Sequence, residues 1–336
     1  MPIQNVGDMS QHFQSLRQVG QVKTTLNRLS NELATQQKSD ITASLGGATE
    51  QLETLEREIS RLTSFESTAQ QIGQRLSIMQ STLSGVEDAR RAAMSQFLGT
   101  TTESSASAIQ NAALAGQETF SRISEAFNTR MADRALFGGV ATDRAPLASA
   151  DTMLTDIKAS IAGLTSSDDI VAAVNTWFDD PIGGFATLGY LGDSGPHPTQ
   201  AVGPNSTLTI RARADDSAAT DLLKAAALAA LADDSVPGLT KSTRATLVNT
   251  SGQLLLGAAD GLTNLRGSLG ANEAAVSETS VTISTQLTAF QINRNELTVA
   301  DPFETATKLQ DVQQQLEMQY TVTARLSQLS LVNYLR

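Results

Sequence analysis

Two histidines, His12 and His197, are the only imidazoles in the 336-residue chain, and it has no cysteine. Catalysis by histidine needs a partner that orients the ring and a group to activate. His12 lies in an N-terminal helical stretch and His197 between Pro196 and Pro198, neither in a Ser or Asp arrangement that suggests a triad. Without cysteine, thiol chemistry, Cys-ligated zinc and a disulfide scaffold are excluded. Carboxylates do cluster, as Asp168-Asp169, Asp179-Asp180, Asp215-Asp216 and Asp233-Asp234. Each pair falls at an expected element end, where aspartate caps a helix or closes a turn; a calcium site is the alternative reading. Gly-Gly pairs at 46–47, 138–139 and 183–184 match neither phosphate-cradle pattern and read as hinges and helix ends. Trp177-Phe178 reads as a core anchor, with a contact to a neighbouring subunit as its alternative. No catalytic residue, metal ligand or cofactor is expected, and the chain reads as a structural protein, not an enzyme.

Charge narrows the partners. The chain carries 24 Lys and Arg against 35 Asp and Glu, a formal charge of −11. A nucleic-acid binder needs a basic stripe to displace counterions, yet the nearest basic cluster, Arg90-Arg91, adjoins Glu87 and Asp88. No segment approaches the run of about 18 apolar residues that spans a bilayer, and no basic amphipathic face is present. Neither nucleic acid nor membrane is expected as a partner. Residues 1–30 lack the basic-then-apolar pattern of a cleaved signal peptide, so an exported chain would have to leave by another route.

What the residues do carry is heptad spacing. Val19, Val22, Leu26, Leu29 and Leu33 follow in steps of 3, 4, 3 and 4, the narrow stripe of a coiled-coil seam. A second run continues through Leu52, Leu55, Ile59, Leu62, Phe65, Ala69, Ile72, Leu76, Met79, Leu83 and Val86. Two consecutive steps of three at Ile59–Leu62–Phe65 form a stammer, which overwinds a supercoil. A helix of that kind would run about 50 residues, roughly 70 Å. A third is expected from Ser105 to Ala135, carrying Ile109, Ala113, Phe120, Ile123, Phe127 and Met131, and stopping at Leu136-Phe137-Gly138-Gly139.

The middle differs. Six of the eight prolines lie between 138 and 240. There Thr207 to Arg213 alternates as a half-buried strand, Met153 to Ile161 suggests a short helix, and Ser166 with Asp169 looks like a capping pair. Residues 217–231 are alanine-rich and helical. Heptads then resume at Ala258, Leu262, Leu265, Leu269, Asn272, Val276, Thr279, Ile283, Gln286 and Phe290, with Asn272 placed to fix register. Asp301-Pro302 opens a last helix bearing Leu309, Val312, Leu316, Tyr320, Leu326 and Leu329 and running to Leu335-Arg336.

The expected fold is mainly α: an elongated antiparallel long-helix coiled-coil bundle of N- and C-terminal segments with a small α+β insert. The expected divisions are an assembly helix at 1–40, half of a rod at 41–137, the insert at 138–244, the second half-rod at 245–299 and an assembly helix at 300–336. The terminal stripes are natural mutual partners, but a lone two-helix pair is marginal in water. Copies of the chain or related neighbours would have to bury the rest.

Particular residues resemble a known family. Asn27-Arg28-Leu29-Ser30-Asn31-Glu32-Leu33-Ala34-Thr35 is similar to the N-terminal segment of the flagellin superfamily, although Gln36-Gln37 stand where relatives often carry a more basic stretch. Leu136-Phe137-Gly138-Gly139 resembles the point where that family's long helices give way to a variable domain. Leu309 to Tyr320, with the ending Leu329-Ser330-Leu331-Val332-Asn333-Tyr334-Leu335, resembles its hook-associated branch. The resemblance implies an extracellular flagellar subunit, exported without a cleaved signal peptide and joining hook to filament. Its implied partners are other copies, neighbouring hook-associated and flagellin subunits, an export chaperone and the export apparatus. It implies an assembly or chaperone interface built from Val19, Val22, Leu26, Leu29, Leu33, Leu309, Val312, Leu316, Leu326, Leu329 and Leu335. Filament flagellin is the alternative within the family. Outside it stand a cytoplasmic coiled-coil scaffold or signalling fragment and an enzyme grafted into the insert.

Overall fold

Leucine-rich heptads without an interrupting proline form the longest helices of the protein. A computed structural model describes the backbone of residues 4–44, 46–47 and 49–334, with side chains throughout except at 4–9, 11–12 and 326–334. The protein is mainly α. Its helices are α1 (Gln4–Thr35), α2 (Ile41–Ser44), α3 (Glu50–Leu98), α4 (Ala106–Phe127), α5 (Ala150–Ser160), α6 (Ser167–Asp179), α7 (Ser217–Ala230), α8 (Lys241–Thr298) and α9 (Pro302–Tyr334). Two small antiparallel hairpins, β1–β2 (Arg130–Met131, Arg134–Ala135) and β3–β4 (Thr199–Gly203, Ser206–Thr209), and a π-helical turn at Phe185–Gly189 complete it. The chain divides into two compact units, 1–63 with 285–336 and 64–284. Along α3 the division falls between Leu62 and Phe65, where the heptad takes consecutive steps of three.

In the unit 64–284, α3 and α8 run antiparallel. Gln80 donates to the Arg266 carbonyl at 3.3 Å, Arg90 to that of Leu255 at 2.8 Å, and Asn249 to that of Thr100 at 3.3 Å. Ala69, Ile72, Leu76, Met79, Leu83 and Val86 of α3 are buried, as are Leu262, Leu265, Leu269 and Val276 of α8. Asn272, expected to fix register, is half-buried and donates to the Thr209 carbonyl of β4 at 3.2 Å. The polar seam position thus ties the helix to the hairpin.

At the centre is α7, whose residues from Ala225 to Ala230 have no solvent exposure. Alanines on one helix permit close approach of another, and α4 uses it: a Cβ at Gly116 would stand 2.6 Å from Ala230 N and 2.7 Å from Ala229 Cβ. Ser251 of α8 closes the other side, donating to the buried Ala225 carbonyl at 2.6 Å. Beside this core an aromatic cluster joins α6 to the π-helical turn. Trp177 meets Phe178 edge-on at 4.6 Å, and Phe178 stacks on Phe185 at 5.5 Å. The Trp177 ring is buried and donates to Asp156 Oδ2 at 2.6 Å, as its polar N–H requires.

Several elements differ from expectation. The third helix ends at Phe127 rather than Ala135, because Asn128 turns away to exchange hydrogen bonds with Leu147 (3.0 and 2.8 Å). Met131 therefore sits in β1. Ser166 precedes α6 but makes no side-chain cap; Asp168 and Asp169 supply charge to its first turn instead. Alternation from Thr207 on is real in burial, with Leu208, Ile210, Ala212 and Ala214 inside, yet pairing ends at Thr209. The aspartate pairs serve element ends: Asp216 caps α7, Asp180 accepts from Ile182 N at 2.9 Å, and Asp233 from Ser235 N at 2.7 Å.

Candidate assembly interface

In the unit 1–63 with 285–336, α1 and α9 pack side by side. Ser15 and Thr323 hydroxyls are 3.4 Å apart, and the Lys23 ammonium lies 5.7 Å from the Tyr320 ring centre, which fixes an antiparallel pairing. Of the stripe residues, Val22 and Leu29 are buried. Val19, Leu26, Leu33, Leu309, Val312 and Leu316 are half-buried. The side chains of Leu326 and Leu329, and Leu335 altogether, lie outside the described residues. The structure thus brings together the N-terminal and C-terminal stripes that heptad spacing marked, as far as Leu316.

A polar latch holds one end of the pair. Gln36 adopts a left-handed backbone with φ of 57° and stops α1. Its carbonyl accepts from Ala300 N at 3.1 Å, and Lys38 N donates to the Thr298 carbonyl at 2.9 Å, so that Gln37 bridges Val299 like a fragment of antiparallel sheet. The Lys38 ammonium reaches the Leu297 carbonyl at 3.1 Å, placing a cation at the negative end of α8. Glu32 is buried to 6% exposure but fully engaged: both oxygens accept from Arg28 (2.8 and 2.9 Å) and one from Ser39 N at 3.0 Å. Asp301 then accepts from Phe303 N and Glu304 N at 2.8 and 3.1 Å, capping α9 with Pro302 in its first turn. Spacing alone missed this latch. Its one sequence signal was Asp301-Pro302.

Much apolar surface stays uncovered in this unit. Phe13 and Leu16 on α1 are 57% and 53% exposed, and Met318 and Val322 on α9 are 63% and 56% exposed. They lie away from the α1–α9 seam by helical spacing.

Little elsewhere is arranged for chemistry. Among the described residues no group of three or more His, Asp or Glu could hold a metal ion, and no helix is long and apolar enough to cross a membrane. The side chain of His12 lies outside the described residues, and His197 Nδ1 is buried without a hydrogen-bond partner. One marked electrostatic perturbation is structural. On α3, Glu87 accepts from Arg90 Nη2 and Nε at 2.9 and 2.7 Å and from Arg91 at 2.5 Å. Arg90 is the larger influence, and against the opposing effect of burial it holds the Glu87 carboxyl at about 2. Burial is the main reason the Tyr190 hydroxyl is raised above its ordinary range.

Fold and interface define a mainly α protein whose two terminal helices pair and leave apolar faces open. Residues 253–335, the greater part of α8 with α9, match the family model of the bacterial flagellin C-terminal helical region. A solved Vibrio parahaemolyticus structure, described as a candidate flagellar hook-associated protein, is similar over 72% of this chain and 96% of its own. Its identity is 16% and its TM-score 0.43. No protein with a curated description matches the chain.

Proposed function

We propose that this protein is a structural subunit of the bacterial flagellum, placed at the junction of hook and filament. The observation that carries the reading is the α1–α9 pair: a C-terminal helix that matches the flagellin family model seated on an N-terminal helix, with Val22 and Leu29 alone buried among the described side chains of the expected stripe. Burying one leucine contributes about 1.5–3 kcal/mol, while ordering each residue costs about 1–2 kcal/mol in backbone entropy. A pair so thinly buried gains most of its stability from neighbours. Copies of itself, adjacent hook-associated and flagellin subunits supply them in the assembled state. Before assembly, a chaperone on the α9 stripe (Leu309, Val312, Leu316, with Leu326, Leu329 and Leu335 beyond) keeps the same surface from aggregating. Export through the flagellar apparatus without a cleaved signal, and a place outside the cell, complete the reading.

The test is gold labelling of intact flagella with antibodies raised against residues 138–244. One spot at the outer end of the hook supports the junction role. Label along the whole propeller overturns it in favour of a filament flagellin. No label on flagella overturns the flagellar reading itself.

A further inference from the structure

Three arginines gather around the β1–β2 hairpin without a carboxylate partner. Arg75 of α3 donates to the Leu136 carbonyl at 3.3 Å, and its Nε is buried with no partner at all. Arg130 donates to the carbonyls of Asp133 and Asp143, both from the hairpin region (3.2 Å from Nε and Nη2). Arg134 is exposed and donates to the Thr142 hydroxyl at 3.3 Å. Their acceptors are therefore neutral oxygens throughout, and no ion pair engages the three among the described residues. Arg75 and Arg134 are close enough for each to feel the other's charge, and burial first, then this repulsion, lowers the basicity of Arg75.

The backbone at this corner is also strained. Ala132 and Asp133, the two residues between β1 and β2, have φ of 46° and 61°. A two-residue hairpin with both central residues left-handed favours Asn-Gly or Asp-Gly, and alanine there is disfavoured by about 1 kcal/mol or more. Strain held in place by an arginine on the turn's own carbonyl is characteristic of sites that present side chains to a partner. A bidentate guanidinium left on neutral oxygens is suited to a carboxylate.

The complementary surface is on the same chain. Glu50, Glu53 and Glu56 are exposed on the first two turns of α3, and none is in an ion pair among the described residues. We propose that the Arg75–Arg130–Arg134 corner of one copy receives the Glu50–Glu53–Glu56 carboxylates of the next copy. The contact joins two different surfaces, so it is heterologous and propagates from copy to copy in a ring or helix. The inference rests on the assembly reading above and names which surfaces meet.

Sedimentation velocity of the full-length chain, over a concentration series at 20 and 300 mM salt, tests it. Self-association should weaken about tenfold or more at the higher salt, since exposed charges are screened over about a Debye length. Arg134→Glu and Glu53→Arg should each weaken association about tenfold at low salt, with unchanged helical circular dichroism. The double variant should regain wild-type association, because the two charges are then exchanged across the contact and attract again. Arg134→Gln, which removes charge without repulsion, should fall between. A single variant that associates like wild type, or a double variant no better than the singles, overturns this pairing alone. A wild-type chain that stays monomeric throughout overturns the assembly reading and this inference with it.

Discussion

Replacing Glu87 by glutamine removes one charge from a buried pair and leaves its shape intact. Glu87 and Arg90 are 8% and 5% exposed, and Arg90 also donates to the Leu255 carbonyl of α8. An arginine stripped of its carboxylate in such surroundings typically destabilises by about 3–5 kcal/mol. The depressed carboxyl gives a second figure. The carboxyl sits at about 2 rather than 4.5, and each pH unit is worth about 1.4 kcal/mol, giving roughly 3 kcal/mol. A depressed folded-state value means the contribution is complete above pH 4.5. It is lost progressively as pH falls from 4.5 towards 2, most of it by pH 3. The assay is urea unfolding followed by fluorescence of Trp177, the chain's single tryptophan, buried in the same unit as Glu87. Wild type should exceed Glu87→Gln by about 3 kcal/mol at pH 7 and by about 1.4 kcal/mol at pH 3. A gap independent of pH over that range would refute the reasoning. The double replacement Glu87→Leu with Arg90→Met should recover much of the loss, because two apolar groups leave no charge unpaired.

Other expectations follow from packing and backbone geometry. Gly116→Val should lower the unfolding midpoint sharply, by about 3 kcal/mol or more in stability, because its Cβ would meet Ala229 and Ala230 backbone rather than a movable side chain. Ala132→Gly should raise stability by up to about 1 kcal/mol in thermal unfolding by removing the strain of φ at 46°. Trypsin should cut the dilute chain first on α1 and α9, whose exposed Lys23, Arg28, Lys308 and Arg325 line a thin seam, and last on the α7 core; the reverse order by mass spectrometry would count against assembly-coupled stability. Leu29→Asp with Leu316→Asp should abolish incorporation into flagella while Trp177 fluorescence stays native. A normally motile strain would contradict the role assigned to the α1–α9 pair.

Heptad spacing was legible because it repeats one physical demand, an apolar residue every 3 to 4 positions on a helix. Val22, Leu29, Leu62, Leu76, Leu262 and Leu269 are buried where the spacing put them. Spacing failed where two residues competed for a position. Gln286 continues the 3–4 rhythm after Ile283, but Leu287 is the buried one, since one step of rotation inserts an apolar side chain in place of an amide. The alanine-rich segment showed its helicity but not its centrality. Alanine is the best helix former and also the smallest, so the same pattern serves an exposed helix or one clasped on every side. Residues distant in sequence determine which, Gly116 of α4 on one side and Ser251 of α8 on the other. Elements ended by distant partners were equally hidden: nothing local in Phe127-Asn128 announces Leu147, or in Gln36 announces Ala300.

These misses share a cause that bears on the site. Periodicity reports what a helix needs from any partner, and it marked α1 and α9 without saying how firmly they are joined. The latch of Gln36, Lys38 and Glu32 is made of backbone carbonyls and one buried carboxylate, which carry no periodic signature. It secures the end of the pair nearest α8 and makes no bond along Phe13, Leu16, Met318 and Val322. In the proposed assembly, a pair tied firmly at one end keeps its register while its exposed faces are open to neighbours. Loosening the latch, by Lys38→Ala with Glu32→Gln, should therefore weaken incorporation less than Leu29→Asp does, since the latch sets register and the stripe supplies the burial.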